Sequence, residues 1–110
     1  MKSKTKKISA AATPQSAYRC LEDVIGCKWS VSVLLAAADG VARPGALEKH
    51  ITGISTKVLS ERLRKLTRYG LLEQCRYPES PPRTEYHLTV FGREVVTLVA
   101  RIRELDQRAS

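Results

Sequence analysis

Apolar side chains recur along this chain first at helical and then at alternating intervals, and the switch between the two periods outlines its architecture. Tyr18, Leu21, Val24 and Ile25 repeat at helical spacing until Gly26, which predicts a short first helix. The stretch 28–39 carries Trp29, Val33, Leu34, Ala36 and Ala37 and is apolar nearly all round, as a central core helix must be; Gly40 closes it. A shorter helix is predicted over 45–50 with Leu47 and Ile51 inward, followed by a turn at Thr52 and Gly53. Within 53–72 comes a fourth helix: Leu59, Leu63 and Leu66 form one stripe, while Lys57, Ser60, Glu61, Arg64 and Arg68 project from the other side. Ser55 is suited to cap its first turn, and Gly70 to let the chain leave through a left-handed residue.

The period then drops to two. Residues 72–77 and 84–88 alternate and favour strands, and the intervening Pro-Glu-Ser-Pro-Pro-Arg run is a loop, so the pair reads as a β-hairpin with a stiff, projecting tip that presents Arg83. Thr89 is expected to cap a last helix over 89–108, whose stripe of Phe91, Val95, Leu98, Val99, Ile102 and Leu105 is long for so small a protein. Such a surplus is expected to pack against a second copy, together with the first helix, through Tyr18, Leu21, Val95, Leu98, Val99, Ile102 and Leu105. The resulting class is mostly α with a small two-stranded hairpin.

Charge narrows the partner. Nineteen lysines and arginines stand against eleven acids in 110 residues, a net charge of +8 and a pI near 9.8, which favours a polyanion and above all nucleic acid. Four of those lysines, Lys2, Lys4, Lys6 and Lys7, lie in residues 1–14, read as a disordered basic tail; residues 15–110 form the folded domain. A basic, capped helix running into a hairpin suits insertion into a DNA groove. Three cysteines, an odd number at uninformative spacing, argue for a reducing compartment, and the lack of an apolar run of membrane length points to the cytoplasm.

Three stretches carry a family resemblance. Ile25-Gly-Cys-Lys-Trp29, the run beginning Gly53-Ile-Ser-Thr-Lys-Val-Leu-Ser-Glu-Arg-Leu and continuing to Leu66, and Tyr77-Pro-Glu-Ser-Pro-Pro-Arg-Thr-Glu-Tyr86 with Leu88, Thr89 and Gly92 resemble the HxlR-type regulators, relatives of the MarR proteins. The resemblance covers about residues 17 to 105. It departs at Cys27, where the family usually has glycine, at Pro44 for phenylalanine and at Ala46 for an acid.

The resemblance implies a winged helix-turn-helix that dimerises through its N- and C-terminal helices, with the wing over 72–88. It implies a transcriptional regulator, usually a repressor, that binds an inverted-repeat operator in double-stranded DNA of a bacterial or archaeal nucleoid. Thr56, Lys57, Ser60 and Arg64 would then face the major groove and Arg83 the adjacent backbone or minor groove, with Arg68, Lys28 and Arg43 as phosphate contacts. Many relatives sense oxidants or electrophiles through a cysteine just before the first helix. The matching residue here is Ser16, so Cys20, beside Arg19, becomes the candidate redox sensor, while Cys27 and Cys75 read as small apolar fillers. A small aromatic effector is the other candidate signal.

Catalysis is not expected. His50 and His87 have no nucleophile at useful spacing, no close cysteine pair suggests a metal, and no glycine-rich loop suggests a cofactor phosphate. Two rival readings use the same fold: a module that docks an acidic protein, and an architectural DNA binder that works through its lysine tail.

Overall fold

The computed structural model describes residues 6–8 and 17–109, with the side chains described from 17 onward. Five helices are laid against a small antiparallel sheet: α1 (Ala17–Ile25), α2 (Lys28–Ala38), α3 (Pro44–His50), α4 (Thr56–Arg68) and α5 (Val90–Ala109), with strands β1 (Lys6–Ile8), β2 (Leu72–Tyr77) and β3 (Arg83–Leu88). This is a winged helix-turn-helix: α3 and α4 form the helical pair, and β2 and β3 the wing.

Val33 and Leu34 of α2 are wholly buried and meet Val24 of α1, Leu47 of α3 and the Leu59, Leu63 and Leu66 stripe of α4. The apolar face of α4 is thus consumed by the core, as its spacing required, and the basic face is left to solvent. Ser55 Oγ accepts from the Val58 amide at 3.1 Å, which satisfies one of the first-turn donors of α4. At the other end Gly70 turns the chain at φ +81°, a conformation that side chains disfavour, and Leu71 and Leu72 then drop into the core.

A compact junction follows. Thr89 Oγ1 donates to the Gly70 carbonyl at 2.6 Å and accepts from the Gly92 amide at 2.9 Å, while the Thr89 amide donates to the Leu71 carbonyl at 3.1 Å. Thr89 therefore caps α5 and, in the same act, fastens its start to the exit of α4. A side chain at position 92 would meet this contact head on, since a Cβ there would lie 2.1 Å from the Leu71 carbonyl oxygen.

Two expectations are corrected. Lys6–Ile8, read as part of an unstructured tail, pair antiparallel with β2 in the register Lys6↔Arg76, Lys7↔Cys75, Ile8↔Gln74, so the sheet has three strands in the order β1-β2-β3. The outer edge of β2 offers a row of unpaired amides and carbonyls, and such an edge recruits any extended segment within reach. The rest of the tail expected over residues 1–14 lies outside the described residues. The other correction concerns α5, whose stripe is two faces: Val95 and Val99 are 2 % and 4 % exposed and belong to the subunit's own core, whereas Leu98, Ile102 and Leu105 are 37–46 % exposed. A stripe that includes both 98 and 99 is wider than one packing partner, and α2 takes only its inner edge. Tyr18 is exposed and Leu21 half-buried.

Candidate nucleic-acid interface

α4 and the wing enclose a cleft of about 530 Å³ lined by Ser60, Arg64, Thr67 and Arg68 from the helix and by Gln74, Arg76 and Tyr86 from the strands. Helical spacing places Ser60, Arg64 and Arg68 on one edge of α4, and the alternation of β2 places Gln74 and Arg76 on one face of the sheet. Gln74 Nε2 donates to the Tyr86 hydroxyl at 2.9 Å, which fixes the cleft floor. Three arginines share this space, and among the described residues no acid lines it. Arg76 carries no signal in the sequence, because an exposed strand arginine acquires meaning only when its sheet faces α4.

Lys57 is exposed on the first turn of α4. Thr56 is also exposed, but its hydroxyl already donates to Glu48 Oε2 at 2.7 Å and so ties α4 to α3. Lys65 and Arg68 fall in the last turn of α4, where positive charge complements the carbonyl end of the helix.

The wing tip differs from the projecting probe expected of it. Arg83 is half-buried: its guanidinium lies 4.1 Å from the centroid of the Tyr77 ring and pairs with Glu79 at 3.3 Å and Glu85 at 3.4 Å. Glu85 also meets His87 at 2.9 Å and Arg43 at 3.8 Å. The hydrogen bond from His87, aided by Arg83 and Arg43, holds the Glu85 carboxyl below its usual range. Of the two predicted contacts here, Arg83 is held by two glutamates of the hairpin, whereas Arg43 stays exposed with one long contact to the Glu85 that Arg83 and His87 already share. Lys28 is separate again. Its Nζ sits 4.7 Å from the Trp29 ring centroid, and it borders a groove between α2 and α5 with Val31, Leu35, Val99, Ile102 and Arg103 rather than the arginine cleft.

The cysteines also sort differently from expectation. Cys20 is buried, and burial pushes its thiol up, with the Asp23 carboxylate adding to the rise; Arg19 does not reverse this. Cys27 stands half-buried at the N-cap of α2. Burial raises its thiol too, but there the Ser30 hydroxyl and amide, the Arg62 guanidinium and the Trp29 amide outweigh burial, and the net direction is down. Cys75 is buried in β2.

The HxlR-like helix-turn-helix family model matches residues 24–109, which takes in α2 to α5 and the wing. The chain belongs to the HxlR-like helix-turn-helix family. It is 41 % identical over 83 residues to the HTH-type transcriptional regulator sll1512 of Synechocystis sp., across 76 % of this chain and 62 % of that one. To the HTH-type transcriptional regulator YtfH of Escherichia coli it is 37 % identical over 75 residues, across 68 % of this chain and 60 % of the other. The HxlR-like chain therefore spans about three-fifths of the length of the curated relatives it matches. Among solved structures it is similar to YtfH of Salmonella typhimurium, at TM-score 0.71 and 31 % identity over 89 % of this chain and 96 % of that chain. It is also similar to the redox regulator HypR in its reduced form, at TM-score 0.74 and 30 % identity over 84 % and 92 % of the two chains. Among the described residues no helix of this HxlR-like chain is long and apolar enough to cross a membrane.

Proposed function

We propose that this chain is a sequence-specific DNA-binding regulator of transcription, acting as a homodimeric repressor on an inverted repeat. The observation that carries this reading is the arginine cleft: the exposed edge of α4 and the facing strands gather Arg64, Arg68 and Arg76 with no acid among the lining residues. A phosphate backbone running along the cleft would neutralise that charge, and the α4 edge would enter the major groove beside it. Ser60 and Arg64 are the base readers, Thr56 a weaker one because Glu48 occupies its hydroxyl, and Lys57 and Arg68 are phosphate contacts. Two subunits joined through Tyr18, Leu21, Leu98, Ile102 and Leu105 would set their α4 helices about 34 Å apart, one turn of DNA.

Selection of duplexes from a random pool tests the reading, followed by affinity measurements on the winning duplex and on a scrambled one. Arg64→Ala is expected to lose about 1 to 3 kcal/mol on the selected duplex and to relax preference at one base pair, whereas Lys57→Ala weakens both duplexes alike. Equal losses on both duplexes for Arg64→Ala would remove its reading role. A protein with no duplex preference would favour docking of an acidic protein partner or an architectural role instead.

Response to oxidants is the second reading, supported by the likeness to HypR and by the lowered thiol of Cys27. In this reading the Cys27 thiolate attacks a peroxide oxygen, the O–O bond breaks with loss of hydroxide or alkoxide, and a sulfenic acid forms. Cys27 replaces Cys20 as the sensor because thiolate character, rather than the neighbouring Arg19, decides reactivity.

A further inference from the structure

The start of α2 carries polar groups that the fold itself leaves unused. Cys27 occupies the N-cap in an extended conformation, between exposed Gly26 and Lys28, and its sulfur makes no capping hydrogen bond. Ser30 stands at the third helical position, where a side chain turns back towards the cap. It is 1 % exposed, its hydroxyl is aimed at the Cys27 sulfur, and Oγ has no hydrogen-bond partner among the described residues. A buried hydroxyl left unpaired costs stability unless an acceptor comes to it. Arg62 supplies a second such group from α4. Lys65, three residues further along the same edge, pairs with Asp23, and the Arg62 guanidinium reaches both Asp23 and Cys27, four residues apart. Arg62 Nε is also buried and also lacks a hydrogen-bond partner among the described residues. Two buried donors, one from α2 and one from α4, thus converge on a single thiol. Sulfur is too weak an acceptor to satisfy them, whereas an oxygen carried on that sulfur is a good one.

From this juxtaposition we infer that oxidised Cys27 is held inside its own subunit: the sulfenic oxygen accepts from Ser30 Oγ and Arg62 Nε, and α4 reads the change through Arg62 without a second thiol. The inference rests on the oxidant-response reading given above and names what receives the product and how it is relayed. The Cys27 thiolate attacks the terminal oxygen of a hydroperoxide, the S–O bond forms as the O–O bond breaks, and the sulfur is oxidised by two electrons. Hydroxide or alkoxide leaves and takes a proton from water. Arg62 then turns towards the new oxygen and away from Asp23, the acid that Lys65 also holds, so the tie between α1 and the C-terminal half of α4 slackens.

The test treats the full chain with equimolar hydrogen peroxide and then, after timed delays, with dimedone, which traps sulfenic acids; fragment mass spectra place the adduct. Wild type is expected to carry it on Cys27. Ser30→Ala and Arg62→Gln are each expected to lose trappable sulfenic acid about fivefold faster, the fold-change of one net hydrogen bond. Reduced Ser30→Ala, which only removes an unpaired hydroxyl, should melt no lower than wild type, so its shorter lifetime is not a folding defect. Oxidised wild type is expected to bind the selected duplex about fivefold or more weakly, within the usual range of coupling between sites, and to recover with a thiol reductant. Oxidised Arg62→Gln should bind as its reduced form does. Equal lifetimes in the three proteins, a lowered melting temperature in reduced Ser30→Ala, or a disulfide joining Cys27 of two subunits would overturn the inference while leaving oxidation of Cys27 in place. Unchanged duplex affinity after oxidation of wild type would overturn the relay through Arg62. Adducts on Cys20 or Cys75 alone, or on no cysteine, would bring down the oxidant-response reading and this inference together.

Discussion

The Tyr69 hydroxyl, one residue past the end of α4, donates to the Asp23 carboxylate of α1, forty-six positions earlier in the chain. Lys65 Nζ pairs with the same carboxylate at 3.0 Å. One acid thereby holds the C-terminal turn of the basic helix against the first helix. The hydrogen bond from Tyr69, then Lys65, draws the Asp23 carboxyl below its ordinary 3.8, and the same bond pushes the Tyr69 hydroxyl up to about 12.

These shifts have opposite pH signatures. Asp23 is depressed in the fold, so its contribution is present above 3.8 and is lost as pH falls through the lower folded value. Tyr69 is raised, so its contribution is present below 10 and is lost as pH climbs through about 12. Tyr69→Phe is expected to cost about 1 kcal/mol at neutral pH, the size of one part-exposed hydrogen bond, and to erase the alkaline loss. Urea unfolding of wild type and variant across the pH range checks this; equal curves would show that the α1–α4 tie contributes nothing.

Gly92→Ala is expected to destabilise the domain by about 1 to 3 kcal/mol, the usual cost of forcing atoms into a filled site. The obstacle is the backbone of Leu71, which cannot rotate aside as a side chain would. Thermal unfolding measures the loss, and Arg93→Ala on the exposed side of the same turn supplies a neutral comparison.

Alkylation should separate the thiols. At neutral pH the lowered Cys27 thiol holds more thiolate than the raised Cys20 thiol, so iodoacetamide is expected to label Cys27 first, with a rate that follows its own titration. Peptide mass mapping over a time course reads the order, and faster labelling of Cys20 would reverse the assignment of the sensor.

The outer face of α5 makes its own prediction. Leu98→Glu with Leu105→Glu should convert a dimer into monomers with unchanged helical content, because both side chains are well exposed in the subunit. Val99→Glu should instead unfold the chain, since that position is inside the core. Sedimentation equilibrium with circular dichroism distinguishes the two; a wild type that sediments as a monomer at all working concentrations would refute the dimer proposal.

Local rules made most of the fold legible. The Leu59, Leu63 and Leu66 stripe, the Ser55 cap and the Gly70 exit depend on neighbours within one or two turns, and all stand as the spacing implied. The basic edge of α4 was legible for the same reason, since whatever the core does not take is left outside. The misses share a different origin. Pairing of Lys6–Ile8 with β2 spans about seventy residues, and three residues leave no period to detect. The engagement of Arg83 needs Glu79, Glu85 and Tyr77 to converge through a hairpin, and the split of α5 into an inner Val95–Val99 edge and an outer Leu98–Leu105 edge needs the placement of α2. Arg76 became visible for the same reason, when α4 was found lying across its sheet face.

The junction of Gly70, Leu71, Thr89 and Gly92 has a mechanical corollary. Where the exit of one rod, the root of a hairpin and the start of the next rod are clasped at a single point, they can only turn as a unit. A twist applied far along the terminal rod would arrive at the groove-facing end as a swing of the entire head rather than a bend within it; in the dimer proposed above, a signal felt there would then alter the gap between two heads and leave the letters each one reads the same.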